Sequence, residues 1–169
     1  TTVNQGTVAV NGRLTGNGSL TLKDDTALTV TAGGTTAAIT TTGDMNVGST
    51  PGTPTGTNTI NFAGLSSTSV APIGAGALYF DNPVTINILN VAPTAGQYPL
   101  IYTSGSATIY GLALGTLPYG ISAELVDDTA GPTQSIYLNV TSVVIPSNLW
   151  TGVVNGNWDI NTTQNGTES

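Results

Sequence analysis

Histidine and cysteine are both missing from this 169-residue chain, and only Arg13 and Lys23 carry positive side-chain charge. Without cysteine there is no disulfide staple and no thiolate metal site. Without histidine a nucleophilic triad lacks its usual base. A Ser-Lys pair would have to draw on Lys23, which stands beside Asp24 and Asp25 in a turn-like stretch. The nine acidic residues outweigh the two basic ones, for a net charge of −7. With no basic patch to neutralise phosphates, nucleic acid is a poor partner, and so is an anionic membrane surface. No apolar run approaches the ~20 residues that a membrane helix needs, so insertion into a bilayer is not expected. There is also no initiator Met and no signal-type apolar core, which reads as a processed product or a segment of something longer.

What is present is Thr, Ser, Asn and Gly around a 38% hydrophobic content, which opposes the usual composition of disorder. Helical periodicity is absent, because Gly, Pro or clustered Thr interrupts every candidate window. Strand alternation is common instead. It runs through Thr7–Val10, Ser19–Leu22, Ala27–Val30, Ala37–Thr40, Asn58–Phe62, Ala77–Phe80 and Val84–Leu89. Pro83 and Pro93 fit strand ends. Asn11-Gly12, Gly16-Asn17-Gly18, Asp24-Asp25 and Gly33-Gly34 supply turns between the early strands. The pair Val8/Val10 recurs as Leu28/Val30, and Leu20 as Ile39, offsets of 20 and 19 residues that suit one rung of a β-solenoid. Residues Gly43 to Asn58, rich in Gly, Pro and Thr, read as a loop protruding from the scaffold.

Four further strands follow, Tyr98–Tyr102, Ala107–Tyr110, Ile121–Val126 and Ser135–Val140, with the last two forming a hairpin across Asp127–Pro132. The expected fold is therefore all-β: a parallel β-helix-like solenoid with a C-terminal antiparallel unit, the alternative being a β-sandwich. Residues 1–141 form the β-rich module, with rungs over 1–90 and the antiparallel unit over 91–141. Residues 142–169 are expected to be a linker or docking segment carrying the Trp motif.

The order of motifs in the second half carries a resemblance. Tyr98-Pro99-Leu100-Ile101-Tyr102 is followed by Gly115-Thr116-Leu117-Pro118-Tyr119-Gly120 and Ala123-Glu124-Leu125-Val126-Asp127-Asp128. Then come Ser135-Ile136-Tyr137-Leu138-Asn139-Val140-Thr141 and the stretch from Trp150-Thr151-Gly152 to Asn155-Gly156-Asn157-Trp158-Asp159. Over residues 98–159 the chain resembles the autotransporter-associated β-strand repeat family of large bacterial surface and secreted proteins; before residue 98 the likeness is diffuse. The resemblance implies a bacterial, extracellular or cell-surface β-repeat segment of the kind found in adhesins and surface fibres. It supplies no catalytic residues. The chain departs from the pattern in having no further tryptophan over Asn161–Ser169 and no membrane-barrel segment.

Chemistry-bearing candidates are few. Adjacent carboxylates at Asp24/Asp25 and Asp127/Asp128 point apart in a strand or turn, which does not suit paired-carboxylate hydrolysis. Each pair with its turn carbonyls is a candidate for Ca²⁺, but neither has EF-hand or RTX spacing, and acidic turns are the preferred reading. Trp150 and Trp158, with Asn155 and Asn157, suit either an aromatic platform for sugar rings or, preferably, anchors against an adjoining module. Tyr98, Tyr102, Tyr110 and Tyr137 are expected to pack in the core and across strands rather than line a ligand stripe. The expectation that follows is a non-enzymatic structural module that self-associates into a fibre, sheath or surface layer. Its partners are copies of itself, joined at edges such as that of Val8 and Val10, with Thr1–Val10 completing a neighbour's sheet. The alternative is an adhesin segment whose loops, Gly43–Asn58 among them, bind glycan or host protein.

Overall fold

The computed structural model describes residues 1–49, 53–91, 94–131 and 134–144, and the backbone of 149–150 and 166–167. Among them there is no helix; the chain winds as a β-solenoid of about three turns with a second, mixed sheet. The first course is β1 (Thr2–Val3), β2 (Thr7–Val10) and β3 (Leu14–Gly16). The second is β4 (Leu20–Leu22), β5 (Ala27–Thr31) and β6 (Ile39–Thr41), and the third is β7 (Met45–Val47), β8 (Asn58–Ala63) and β9 (Ile73–Ala75). Each strand pairs in parallel with its counterpart in the next course. The sandwich alternative is thereby excluded.

The fourth course merges two strands. β10 (Leu78–Ile88) lays Leu78–Phe80 on β7 and Val84–Ile88 on β8. Pro83 is therefore inside a strand rather than at its end, which the ladder tolerates because its register against β12 (Ala107–Leu114) shifts between Phe80 and Pro83. A residue without an N–H fits where a ladder is already interrupted. Parallel pairing continues past residue 90 through β12. The second sheet passes from parallel to antiparallel at β11 (Gly96–Thr103), which pairs with β9 on one side and with β14 (Ser135–Val143) on the other. β13 (Ile121–Asp128) closes that sheet as the hairpin partner of β14. A short pair, β15 (Leu149–Trp150) with β16 (Gly166–Thr167), completes the described backbone.

Alternation decides which side chains enter the solenoid. Val8, Leu28, Ile60, Ile86 and Leu114 form one continuous inward column. Val10, Val30, Phe62 and Ile88 form a second, and Leu14, Ile39, Ile73, Ile101 and Ile136 a third. The recurrence of Val8/Val10 at Leu28/Val30 is thus one register step. Leu20 and Ile39 are not so related: Leu20 pairs with Met45 and Ile39 with Leu14, in different sheets. The expected loop over Gly43–Asn58 also contains a strand, β7, whose Met45 and Val47 are fully buried. Thr1–Val10 completes this chain's own first course, β1 on β4 and β2 on β5.

Glycine makes the corner that returns the chain from the second sheet to the first. A Cβ on Gly76 would overlap the carbonyl oxygen of Thr42, and one on Gly105 would lie 2.5 Å from the carbonyl oxygen of Gly76. Threonine fixes the same corner. The Thr103 hydroxyl donates to the Gly76 carbonyl (3.2 Å) and accepts from the Gly105 N–H (3.4 Å). Thr41 does likewise between Gly18 and Gly43.

Candidate functional site

The most heavily bonded polar cluster sits at the corner between β4 and β5, where the sequence places Asp24 and Asp25. Asp25 holds a left-handed backbone (φ 58°), as aspartate tolerates in tight turns. Its Oδ1 accepts the Thr57 N–H at 3.0 Å. Asp24 accepts the Thr55 hydroxyl at 2.6 Å and the Asn82 side-chain N–H at 2.8 Å. The Thr55 hydrogen bond, opposed by partial desolvation and reinforced by Asn82 and Ser49, holds the Asp24 carboxyl below the ordinary carboxylate range.

Behind Asp24, Asn58 and Asn82 are 1% and 0% exposed. Asn82 donates to Asn58 Oδ1 (3.0 Å) and accepts the Thr55 N–H (3.1 Å). Asn58 donates to the Lys23 carbonyl (2.7 Å) and to Thr26. Buried amides paired in this way lock three successive courses at one corner. They also tie down the segment after β7, so what is described of it lies against the scaffold. Neither asparagine was legible as a site residue, since the partners lie tens of positions apart in sequence.

The other acidic pair is separate. Asp127 and Asp128 end β13, and Asp127 Oδ1 accepts the Thr129 N–H (3.0 Å) and hydroxyl (2.6 Å), an Asx-type turn. The structure does not join this pair to Asp24/Asp25. Among the described residues, no three acidic side chains converge as a cation site would need. Trp150 lies in β15, with its backbone opposite Gly166. Trp158, Asn155 and Asn157 fall outside the described residues. The tyrosines divide. Tyr98 is buried, with its hydroxyl donating to the Thr94 carbonyl at 3.0 Å, and Tyr137 is half-buried. Tyr102 and Tyr110 face solvent at 42% and 58% exposure, against the expectation that all four pack.

Val8 and Val10 belong to a half-covered apolar layer at the first course. Val3, Val8, Val10 and Leu14 are only partly buried, whereas the column members directly beneath, Leu22, Leu28, Val30 and Ile39, are at most 1% exposed. At the far end Ile109, Leu112 and Leu114 are again partly buried. Among the described residues, no strand covers the outer edges of β1, β2 and β3. From Thr1 to Ser19 the single ionisable side chain is Arg13, which is exposed beside β3. Edge charge, proline or bulging, the usual deterrents to edge pairing, are nearly absent there. At the opposite edge of the same sheet, β13 carries Glu124, Asp127 and Asp128. The two ends are thus apolar inside and opposite in charge outside.

The fold is an all-β solenoid, and among the described residues the apolar side chains of its first and last courses are only partly covered. No protein-family model, curated protein or solved structure matches the chain.

Proposed function

We propose that this chain is a non-enzymatic structural module that stacks end to end with copies of itself. The observation that carries this reading is the continuity of the inward columns up to a half-covered layer at each end. A solenoid gains stability from each neighbouring rung, so a second copy placed on the first course extends the columns as the chain's own courses do. If a contact buries about 40 Å² more of each of three or four apolar side chains in both facing end layers, the gain is about 6–8 kcal/mol before the cost of association. Arg13 at one end and the β13 carboxylates at the other favour head-to-tail over head-to-head contact. Such a heterologous contact generates a filament when its rotation does not close. The resemblance of residues 98–159 to autotransporter-associated repeats supports an extracellular or cell-surface setting in a bacterium, and a fibre, sheath or surface layer as the assembly.

Electron microscopy and sedimentation across a concentration series test this directly. The expected result is filaments whose axial repeat equals one module, lost in the double variant Val8→Lys/Val10→Lys while its strand circular dichroism persists. A wild-type chain that stays monomeric at every concentration overturns the proposal.

A further inference from the structure

The flank of the solenoid carries a second surface feature, unrelated to its ends. On the outer face of the mixed sheet lies a cleft of about 520 Å³, within the size range of small-molecule sites. Its floor follows one register row across the sheet, from Thr40 to Gly74 to Tyr102 to Ser135. Gly74 leaves a gap in that row beside the exposed Tyr102 ring. The gap is not forced by the backbone, because a Cβ at Gly74 would meet nothing closer than the Ile39 carbonyl oxygen at 3.9 Å. A register shift between Pro99 and Ile101 lets Pro99 and Tyr102 both turn outward. Tyr137, directly opposite Pro99, adds a second ring to the cleft. The far wall is the segment 68–71, braced by the Ser67 hydroxyl, which accepts the N–H groups of Ser69 (3.2 Å) and Val70 (2.9 Å).

We propose that this cleft binds a neutral saccharide, with one hexose ring lying over Gly74 and stacked on Tyr102. Three properties select that ligand. Apart from the two tyrosines, no lining residue has an ionisable side chain, and the whole chain carries a net charge of −7, so an acidic polysaccharide is disfavoured. Aromatic faces beside hydroxyl and amide groups (Thr40 and Gln97 here) suit the alternating C–H and O–H surfaces of a sugar. The floor strands β9 and β11 are paired on both sides, which leaves no backbone edge for a peptide to join by strand addition. The cleft lies on the flank, so the proposal stands or falls independently of end-to-end stacking.

Isothermal titration of the full chain tests it with cellohexaose, maltohexaose and mannohexaose as neutral probes, polygalacturonate as an acidic one and a proline-rich peptide. Binding of at least one neutral hexaose is expected, with none of polygalacturonate or peptide. Gly74→Val, which fills the gap, and Tyr102→Ala, which removes the platform, should each weaken binding at least about tenfold. Tyr110→Ala, an exposed tyrosine outside the cleft lining, should leave it unchanged, and thermal melts would show that all three variants fold. Failure of every neutral probe to bind the wild type overturns the proposal. So does binding that survives Gly74→Val and Tyr102→Ala, or binding of the peptide alone.

Discussion

Asn82 shows how much one side chain can hold. It sits inside β10 with no exposed surface and joins Asp24, Thr55 and Asn58 from two other courses. Replacing it by alanine strands the Thr55 N–H and the Asn58 carbonyl oxygen, so Asn82→Ala should cost about 1–3 kcal/mol, read from urea denaturation. Asp24 adds a pH dependence with a definite sign. Its carboxyl titrates below the ordinary value in the folded chain, so the folded state binds fewer protons than the unfolded state near that value. The stability it contributes is complete only about a unit above the unfolded carboxylate pKa, at about pH 5, and is lost as pH falls through the lowered folded pKa. The urea midpoint of the wild type should therefore drop between about pH 5 and 2, and Asp24→Asn should flatten that drop. At this scale the sequence marked Asp24 and Asp25 as turn residues, because adjacent acids after Lys23 have a local reason to turn. Asn58 and Asn82 gave no such sign, since an asparagine 58 positions from its partner looks the same as one on the surface.

Elements were legible where alternation was uninterrupted by Gly or Pro. β2, β5, β8 and β14 alternate over enough residues to declare a buried face, and their inward positions follow from that pattern. Of the three-residue strands, β4 and β6 overlap the alternating stretches Ser19–Leu22 and Ala37–Thr40 and were legible. By contrast β3, β7 and β9, with Gly or Pro close on either side, show no alternation beyond themselves. β7 was further masked by the Gly, Pro and Thr around it, though Met45 is among the largest fully buried side chains. Met45→Ala should accordingly cost about 2–5 kcal/mol, whereas truncation of its outward neighbour Asn46 should cost well under 1. Corners repeat more faithfully than strands. Gly76→Ala drives a methyl into the Thr42 carbonyl, while Gly12→Ala meets nothing within 4 Å. A thermal melt of the two variants should show a large drop for the first and almost none for the second. The cleft was less legible still: Tyr102 turns outward through a register shift that alternation alone does not announce.

Across the whole molecule, protection should be graded. Residues of β7, β8 and β10 are stacked on both sides, and those of β1, β2 and β3 on one only. Amide hydrogen exchange in dilute solution should therefore be slowest in the middle courses and fastest in the first. In assembled material the first course should slow markedly, a readout separate from microscopy. Global architecture was legible because the first register step is short, but the later steps were not. One column passes through residues 8, 28, 60, 86 and 114, so its steps are 20, 32, 26 and 28 residues long. That inequality works as a key. In a solenoid of identical turns, a strand displaced by one whole turn meets an equally good partner, and the error propagates cheaply. Here a displaced strand would have to swallow or supply up to twelve residues in the connections after β5 and β7, while the short glycine and threonine corner takes up none of the difference. Uneven spacing thus encodes which strand belongs beside which, and lets a chain of near-interchangeable strands wind in a single order.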